Sequence, residues 1–269
     1  MKKKDITCII QARTESSRLP GKILLPGYNK PLLVHLVERL KKSKLIKKII
    51  VATTINKIDD GIFHLCKLNK IEVFRGNALD LLDRYYKCSI KYKVKNILRI
   101  TSDCPLMDYR IIDKVIKKYI STNCDFVSNV QPPTLPDGFD VEIFKFKALK
   151  KAYFEANQKY EREHVTPYIW DNPSKFSSYN CKFYSEENYY NRYRLTLDYL
   201  EDYHLIWNIY KSLYSKNKYF SLEDVLNYLK KNKSIITNKK YIKVNWYRHH
   251  LKNLKTISRK DTNFKVKYK

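Results

Sequence analysis

Three cations stand in the loop that follows the first apolar segment of the chain. Residues 9–22 read IIQARTESSRLPGK, with Arg13, Arg18 and Lys22 among small hydroxyl residues such as Ser16. Guanidinium groups present a planar fork to phosphate oxygens, a lysine adds a mobile point charge, and backbone N–H groups of such a turn complete an anion site. The order of residues matches neither the G-x-x-x-x-G-K-[ST] loop nor the G-x-G-x-x-G dinucleotide turn. The loop therefore predicts phosphate binding outside those two motifs.

Two aspartates end apolar segments further along the chain. Asp103 closes RITSD and Asp198 closes RLTLD, where a carboxylate would be poorly solvated. Mg²⁺ takes one or two carboxylates together with phosphate oxygens of a substrate. Each aspartate could instead cap the helix that follows it. The shared pattern favours a Mg²⁺ site that joins Asp103 and Asp198 beside the phosphate-binding loop.

Two more polar clusters are candidate contacts for a sugar or an acid. In PDGFDVEIF, a strand over residues 139–143 would place Asp140 and Glu142 on one face, where paired carboxylates can bind sugar hydroxyls or a cation. A solvent-facing edge strand would show the same alternation. In EREHVTPY, Glu163 and His164 do not form the H-E-x-x-H zinc pattern, so the histidine is either structural or a contact for an acidic substrate.

The segments that carry these residues alternate between strand and helix patterns in the first half of the chain. The expected strands cover residues 6–11, 48–54, 71–76, 96–103 and 124–129, and the expected helices cover residues 31–44, 59–68, 78–93 and 108–122. Such alternation predicts an α/β protein with a parallel sheet, helices on both faces, and ligands at the carboxyl ends of the strands. Arg13, Thr53 and Asp103 stand at or directly after such ends.

The second half of the chain is less regular. Helices are expected over residues 146–156, 160–173 with a break at Pro167, 200–213 and 222–231, and strands over residues 139–143, 176–184 and 193–199. A proline-rich loop leads into what we expect to be an insertion of about residues 131–185. We therefore divide the chain into an α/β domain over residues 1–230, which carries that insertion, and a basic C-terminal extension over residues 231–269.

The composition bears on compartment and partners. No apolar run reaches the ~18 residues of a membrane span, and the basic start lacks the apolar core of a signal peptide, so we expect a cytoplasmic protein with no membrane partner. The net charge of +27 suggests nucleic acid, and residues 239–269 hold eleven basic residues and one aspartate. The other lysines are dispersed, which favours a solvated surface over a nucleic-acid footprint. The six cysteines lack C-x-x-C spacing and are expected to be reduced, buried thiols.

Taken together, these motifs resemble a known family. Residues 9–22 resemble the signature I-I-P-A-R-x-G-S-x-R-L-P-G-K of the cytidylyltransferases that make CMP-activated acid sugars. The wider set is similar to the spore coat polysaccharide branch of that family, in the same order and spacing, over about residues 6–215. It comprises QARTESSRLPGK, VATT, FRGNALDLLDRYY, RITSDCPLMD, PDGFDVEIF, EREHVTPYI and RLTLDYLEDY.

The resemblance implies both a fold and a reaction. The fold would be a three-layer α/β/α of the nucleotide-diphospho-sugar transferase type, with a mostly parallel sheet and a small inserted dimerisation subdomain. The reaction would transfer CMP from CTP to an acidic sugar or related acceptor and release pyrophosphate, for cell-surface polysaccharide or glycan biosynthesis. A homodimer with about residues 131–185 at its interface is implied as well.

The same resemblance implies roles for individual residues. Asp103 and Asp198 would hold Mg²⁺, and together with Arg13 and Lys22 they would be the catalytic residues. The implied nucleotide contacts are Ala12, Arg13, Ser16, Arg18, Lys22, Thr53, Arg75 and Asp103. The implied acceptor contacts are Asp140, Glu142, Glu163 and His164.

Two departures from the signature fall within residues 9–22. Glu15 stands where the family usually has glycine, which places a negative charge beside the phosphates and removes a permissive backbone position. Gln11 replaces the usual proline. Two alternatives therefore stay open. One is a nucleotidyltransferase of the same fold that uses another nucleotide or a non-sugar phosphorylated acceptor. The other is a non-catalytic relative that binds polyanions through its C-terminal extension.

Overall fold

Seven strands form one mixed sheet in the computed structural model, which describes residues 5–183, 189–244 and 250–256. The strands are β1 (Ile6–Gln11), β2 (Lys48–Thr54), β3 (Glu72–Gly76), β4 (Asn96–Thr101), β5 (Phe126–Ser128), β6 (Glu142–Lys145) and β7 (Ser178–Asn180). Their spatial order is β3-β2-β1-β4-β6-β5-β7. Only β6 among these strands runs antiparallel to its neighbours, so the sheet is mostly parallel.

Helices cover both faces of this sheet. They are α1 (Leu32–Leu40), α2 (Asp60–Leu68), α3 (Leu81–Lys91), α4 (Tyr109–Thr122), α5 (Phe146–Glu155), α6 (Lys159–His164), α7 (Pro167–Trp170), α8 (Leu200–Leu213) and α9 (Leu222–Lys231). Short 3-10 turns occupy Lys22–Leu24, Lys57–Asp59, Lys233–Ile235 and Lys239–Tyr241. None of the helices in the described ranges combines the length and the apolar composition that crossing a bilayer requires.

The central strand β1 explains the three layers. Cys8 and Ile10 belong to the core cluster under α1, α4 and α8, whereas Ile9 belongs to the cluster under α3 and α5. Successive side chains of a strand point to opposite faces, so a continuous apolar strand requires cover on both sides. The mostly parallel α/β/α fold expected from the sequence is confirmed.

Three of the expected strands differ clearly, whereas those expected over residues 96–103 and 124–129 are only shorter, as β4 and β5. Residues 193–199 are not a strand, because the Leu195 and Leu197 N–H groups donate to the Asp137 and Asp103 carbonyls of two loops instead of a ladder. β6 begins at Glu142 and not at residue 139. The backbone groups just before Glu142 bond to the Asn129 side chain instead of a strand, because its amide accepts the Val141 N–H and donates to the Phe139 carbonyl. The strand expected over residues 176–184 is shortened to β7, and residue 184 lies outside the described residues.

Helix ends agree better with the expectations. The break expected at Pro167 is confirmed, because α6 ends at His164 and α7 begins at that proline. Ser221 caps α9 as expected, accepting from the Asp224 N–H while the Asp224 carboxylate accepts from the Ser221 N–H. Residues 131–185 supply β6 and β7 to the main sheet and α5, α6 and α7 to one helical layer.

Two loops meet at Gly138, where the chain needs a residue without a side chain. Gly138 has φ +108°, and a Cβ placed there would lie 2.5 Å from both the carbonyl carbon and the carbonyl oxygen of Leu195. The contact brings Asp137 beside Arg194, the residue with which it forms an isolated bridge. Gly138 therefore fixes the loop before β6 against the segment that leads to α8.

Replacing this glycine tests that contact. We expect Gly138→Ala to lower the free energy of unfolding by roughly 2 kcal/mol or more, because the added methyl group strains the backbone and overlaps another main chain. Gly61→Ala is the control. Gly61 lies in α2, and a Cβ there would lie 3.7 Å from the Leu24 side chain, an ordinary van der Waals contact. Urea unfolding measures both. A Gly138→Ala protein as stable as wild type would contradict the close approach.

Candidate active site

A cavity of about 430 Å³ opens at the carboxyl ends of β1 and β4. Most residues selected from the sequence line it, although they come from five separate stretches of chain. They are Ala12, Arg13, Ser16, Arg18, Lys22, Asp103, Asp140, Glu142, Glu163, His164 and Asp198. The position agrees with the rule that open α/β sheets bind ligands beyond the carboxyl ends of their strands.

Two nucleotide contacts implied by the resemblance lie elsewhere. The Thr53 side chain is fully buried within β2. Arg75 lines a separate, shallower pocket, where its guanidinium donates to the Thr54 and Asn56 carbonyls and pairs with Asp60 at 2.6 Å. The structure therefore does not bring Thr53 and Arg75 to the cavity with the others.

The loop after β1 is closed by hydrogen bonds that the sequence did not indicate. The Gly21 N–H donates to the Thr14 carbonyl at 2.9 Å, and Gly21 adopts φ +68°. The Thr14 N–H and hydroxyl both donate to one oxygen of Asp59 at 2.6 Å, and Asp59 itself is buried. Because the loop is held at both ends, Arg13 and Glu15 are exposed and line the cavity.

The centre of the cavity is an ammonium group between two carboxylates. Lys22 Nζ lies 2.8 Å from Asp198 Oδ1 and 3.2 Å from Asp103 Oδ2, and Arg18 Nη2 lies 2.6 Å from the same oxygen of Asp198. Burial disfavours the charged ammonium, but the two carboxylates outweigh it and raise the pKa of Lys22. Burial likewise works against ionised Asp103, yet Lys22 and the Thr101 hydroxyl leave the pKa of Asp103 below its usual range.

A second cation holds the other side of Asp198. Arg194 is 2% exposed, and its guanidinium contacts Asp198 Oδ2 at 2.5 Å and Asp137 Oδ2 at 3.0 Å. Asp202 lies 3.4 Å from Arg194 Nε and accepts the backbone N–H of Asp198 at 2.9 Å. Asp198 is thus fixed through its side chain and its main chain.

The end of the cavity formed by β6 and α6 carries more acidic groups. Glu142 pairs with Arg99 and accepts the Thr166 hydroxyl at 2.7 Å, and Arg99 also donates to the Gln11 side chain at 3.0 Å. Asp140 is half-buried there. Burial first, then repulsion from Asp137, Glu142 and Asp103, raises the pKa of Asp140 well above its usual value, and Arg99 opposes this only in part.

The donors around Lys22 fit Mg²⁺. One oxygen of Asp103 and one of Asp198 converge on a single cation, which at present is the Lys22 ammonium. Carboxylate oxygens are the hard ligands that Mg²⁺ prefers, and it commonly takes only one or two of them beside substrate phosphates. No cluster of three or more metal-ligating side chains occurs within the part of the chain that the structure describes. A metal here would therefore depend on oxygens of the substrate.

Sequence reasoning missed several residues of the site. Arg99 and Arg194 interrupt the apolar patterns NILRITSD and RYRLTLDY, and a cation inside such a run is a signal that could have marked them. Asp59, Asp202 and Asn238 gave no such signal, because each acts on a segment distant in sequence or through backbone groups.

The pKa of His164 tests whether water is excluded from this end of the cavity. Burial, followed by the charges of Arg99, His250 and Arg13, lowers the pKa of His164 from 6.5 to about 3. Between these values the unfolded chain binds the proton and the folded chain does not, so stability is fully present above pH 6.5 and is lost on acidification toward pH 3. The greatest slope is about 1.4 kcal/mol per pH unit.

We therefore expect His164→Gln to flatten the acid dependence of the free energy of unfolding between pH 6.5 and pH 4, measured by urea titration at each pH. His64→Gln, at an exposed position of α2, is the control. An unchanged slope in His164→Gln would mean that the imidazole is solvated and protonates normally.

Comparison with known proteins agrees with this geometry. A family model described as Cytidylyltransferase matches residues 7–242. An uncharacterised protein of Methanocaldococcus jannaschii is 42% identical over 230 residues, which is 84% of this chain and 91% of that protein. The spore coat polysaccharide biosynthesis protein SpsF of Bacillus subtilis is 32% identical over 224 residues, which is 79% of this chain and 87% of that protein.

A solved structure gives the same result. A cytidylyltransferase from Leptospira borgpetersenii superposes with a TM-score of 0.80 at 38% identity, covering 87% of this chain and 98% of that one. The family match extends past residue 230, where the sequence suggested a boundary, and includes Asn238. The fold, the cavity at the strand ends and these matches together show that this chain belongs to the cytidylyltransferase family of nucleotidyltransferases.

Proposed function

We propose that this protein transfers CMP from CTP to an acidic sugar or related acceptor, releases pyrophosphate, and serves cell-surface polysaccharide or glycan biosynthesis. The observation that carries the proposal is the convergence of Lys22, Asp103 and Asp198 beside the arginines of the first loop. The name of the Bacillus subtilis relative supports the polysaccharide assignment. Family membership supports CTP as the nucleotide.

The residues suit such a reaction. The oxygen of an acceptor hydroxyl would attack the α-phosphorus and release its proton to solvent, the bond from that phosphorus to the bridging oxygen would break, and pyrophosphate would leave with the electron pair. Arg13, Arg18 and Lys22 would bind the triphosphate and offset the charge that grows on its oxygens. Mg²⁺ held by Asp103 and Asp198 would supply further neutralisation of those oxygens. The rigid loop after β1 would align the α-phosphorus with the acceptor.

An acidic acceptor is compatible with the acidic end of the cavity. Glu142 is paired with Arg99, and burial together with the neighbouring carboxylates raises the pKa of Asp140, which favours its neutral form. A neutral carboxyl can donate a hydrogen bond to an acceptor carboxylate, which an ionised one would repel. Arg13 lines the same cavity. The four predicted acceptor contacts, Asp140, Glu142, Glu163 and His164, remain part of this proposal.

Glu15 does not exclude the reaction. It is exposed at the loop surface, whereas Lys22 and Asp198 are buried at the centre of the cavity. A surface carboxylate is screened by water and salt, so its effect on phosphate binding should be modest.

Two alternatives make different predictions. A same-fold enzyme with another nucleotide would be stabilised more by that nucleotide than by CTP in a thermal-shift comparison of CTP, UTP, GTP and ATP with Mg²⁺. A polyanion-binding relative would show no pyrophosphate release with any of them. Within the described part of the C-terminal extension, Ile236 and Asn238 are buried against the α/β domain.

The homodimer and the cytoplasmic location remain predictions. Phe154 on α5 is 68% exposed and lies within residues 131–185, which supports that segment as the interface. Light scattering after size-exclusion chromatography measures the mass in solution, and a monomer at working concentration would contradict the dimer.

The central test removes the two carboxylates one at a time. We expect Asp103→Asn and Asp198→Asn each to reduce pyrophosphate release from CTP by about 100-fold or more, because a charge-stabilising group at the phosphates is lost. Asp5→Asn is the control, since Asp5 forms an exposed pair with Lys47. A coupled pyrophosphate assay with a panel of acidic sugars gives the rates, and circular dichroism confirms folding. Pyrophosphate release that survives in both variants would contradict the assignment.

The raised pKa of Asp140 gives a second test. As pH rises through the pKa of Asp140, the ionised group should repel an acidic acceptor, and the acceptor KM should rise by about tenfold per pH unit at the alkaline limit. Asp140→Asn, which stays neutral, should show a flat KM over the same range. Parallel profiles for wild type and Asp140→Asn would mean that Asp140 does not face the acceptor.

A further inference from the structure

The C-terminal segment, which we define as residues 232–244, reaches the cavity from behind Asp198. Ile236 packs into the core, Asn238 has no exposed surface, and Val244 lines the cavity. Tyr241 stacks on Tyr199 with ring centroids 3.8 Å apart. A segment that the sequence marked only as basic is therefore part of the wall of the site.

Asn238 makes the most specific contacts of this segment. Its amide Nδ2 donates to Asp202 Oδ1 at 2.7 Å and to the Arg194 carbonyl at 2.9 Å. All three residues are buried, so each bond replaces water that cannot reach the site. A single side chain thus ties together the two residues that hold Asp198.

Those two residues act directly on Asp198. Asp202 accepts the Asp198 N–H at 2.9 Å, and Arg194 Nη2 contacts Asp198 Oδ2 at 2.5 Å. Arg194 is itself held by the C-terminal segment a second time, because its Nη1 donates to the Val244 carbonyl at 2.9 Å. With Oδ2 occupied by Arg194, Asp198 presents Oδ1 to Lys22 and Arg18.

We propose that Asn238 is a positioning residue for the cation site: through Asp202 and Arg194 it fixes the orientation in which Asp198 Oδ1 meets a cation at the triphosphate. This inference rests on the proposed function, because it takes Asp198 as a metal ligand. Residues that fix the orientation of a metal ligand through hydrogen bonds commonly change metal affinity by about 10- to 100-fold when they are removed. Asn238 would act in this way although it is some forty residues from Asp198 in sequence and belongs to no motif.

A merely structural role would give a different result. If Asn238 served only packing, its loss would lower the melting temperature and leave cation affinity unchanged. If it positions Asp198, cation affinity must fall even in variants that are fully folded at the assay temperature. The affinity for a cation in the presence of CTP is therefore the quantity that separates the two roles.

The experiment compares Asn238→Leu with Asn232→Leu in the full-length protein. Asn232 lies in the same segment, but its side-chain Nδ2 donates to the Tyr228 carbonyl of α9. The Asn232→Leu substitution therefore leaves the contacts of Asp202 and Arg194 unchanged. The dissociation constant of Mn²⁺ for the protein–CTP complex is measured by water proton relaxation enhancement, which separates Mn²⁺ bound to the protein from Mn²⁺ chelated by free CTP. We expect an increase of about tenfold or more in Asn238→Leu and no change in Asn232→Leu.

A double-mutant cycle tests the route. If Asn238 acts through Asp202, the effects of Asn238→Leu and Asp202→Asn on Mn²⁺ affinity should be strongly non-additive, whereas additive effects would overturn this route. Asn238→Ser, which is too short to reach both acceptors, carries the test if Asn238→Leu does not fold.

Two failures are distinguishable. A folded Asn238→Leu protein with unchanged Mn²⁺ affinity overturns the positioning role, while pyrophosphate release by the wild type leaves the proposed function in place. A wild-type protein that binds no Mn²⁺ in the presence of CTP overturns both the metal assignment and the role of Asn238.

Discussion

The ammonium of Lys22 between the carboxylates of Asp103 and Asp198 is the contact on which the site depends. It joins the loop after β1, the loop after β4 and the segment before α8. Two carboxylates this close would repel one another without a cation between them, and burial would make that repulsion stronger. Lys22 therefore stabilises an arrangement of acids that, under the proposed function, would hold a metal beside a triphosphate.

Residues outside this contact fix the positions of the charged side chains and of the loops that carry them. Arg194 and Asp202 fix Asp198, Asp59 fixes the loop through Thr14, and Gly138 lets the loop before β6 approach the segment at Leu195. The contacts to Asp198 come from residues four positions away, whereas the Thr14–Asp59 and Gly138–Leu195 contacts join stretches of chain far apart in sequence. Preorganisation of this kind favours catalysis because charges do not have to reorient as the reaction proceeds.

The acidic end of the cavity shows why charge must be assigned in the folded state. Formal charges would place three acids where an acidic acceptor is expected. In the structure Glu142 is paired with Arg99 and burial raises the pKa of Asp140, so both groups add less negative charge than their composition suggests. The same acids in an unfolded chain would all be ionised at neutral pH.

Much of the fold could be predicted because its signals are local. The apolar runs of β1 and β2, the helical spacing of α1 and α4, and the cap of α9 depend on residues within one turn or strand of each other. The sequence by itself determined the α/β architecture and selected eleven of the residues that line the cavity, five of them in or beside the loop after β1. It misjudged residues 193–199, whose apolar alternation resembles a strand but whose backbone bonds go to two loops.

Only the tertiary structure decided which charges face each other. It places Thr53 and Arg75 outside the cavity. It also makes Arg99 and Arg194 part of the cavity lining and places Asp202 against Asp198. It also placed residues 232–244 against the site, where Asn238 bonds to Arg194 and Asp202. The physical reason is that these effects depend on distance and burial between remote segments, and neither quantity exists until the chain has folded.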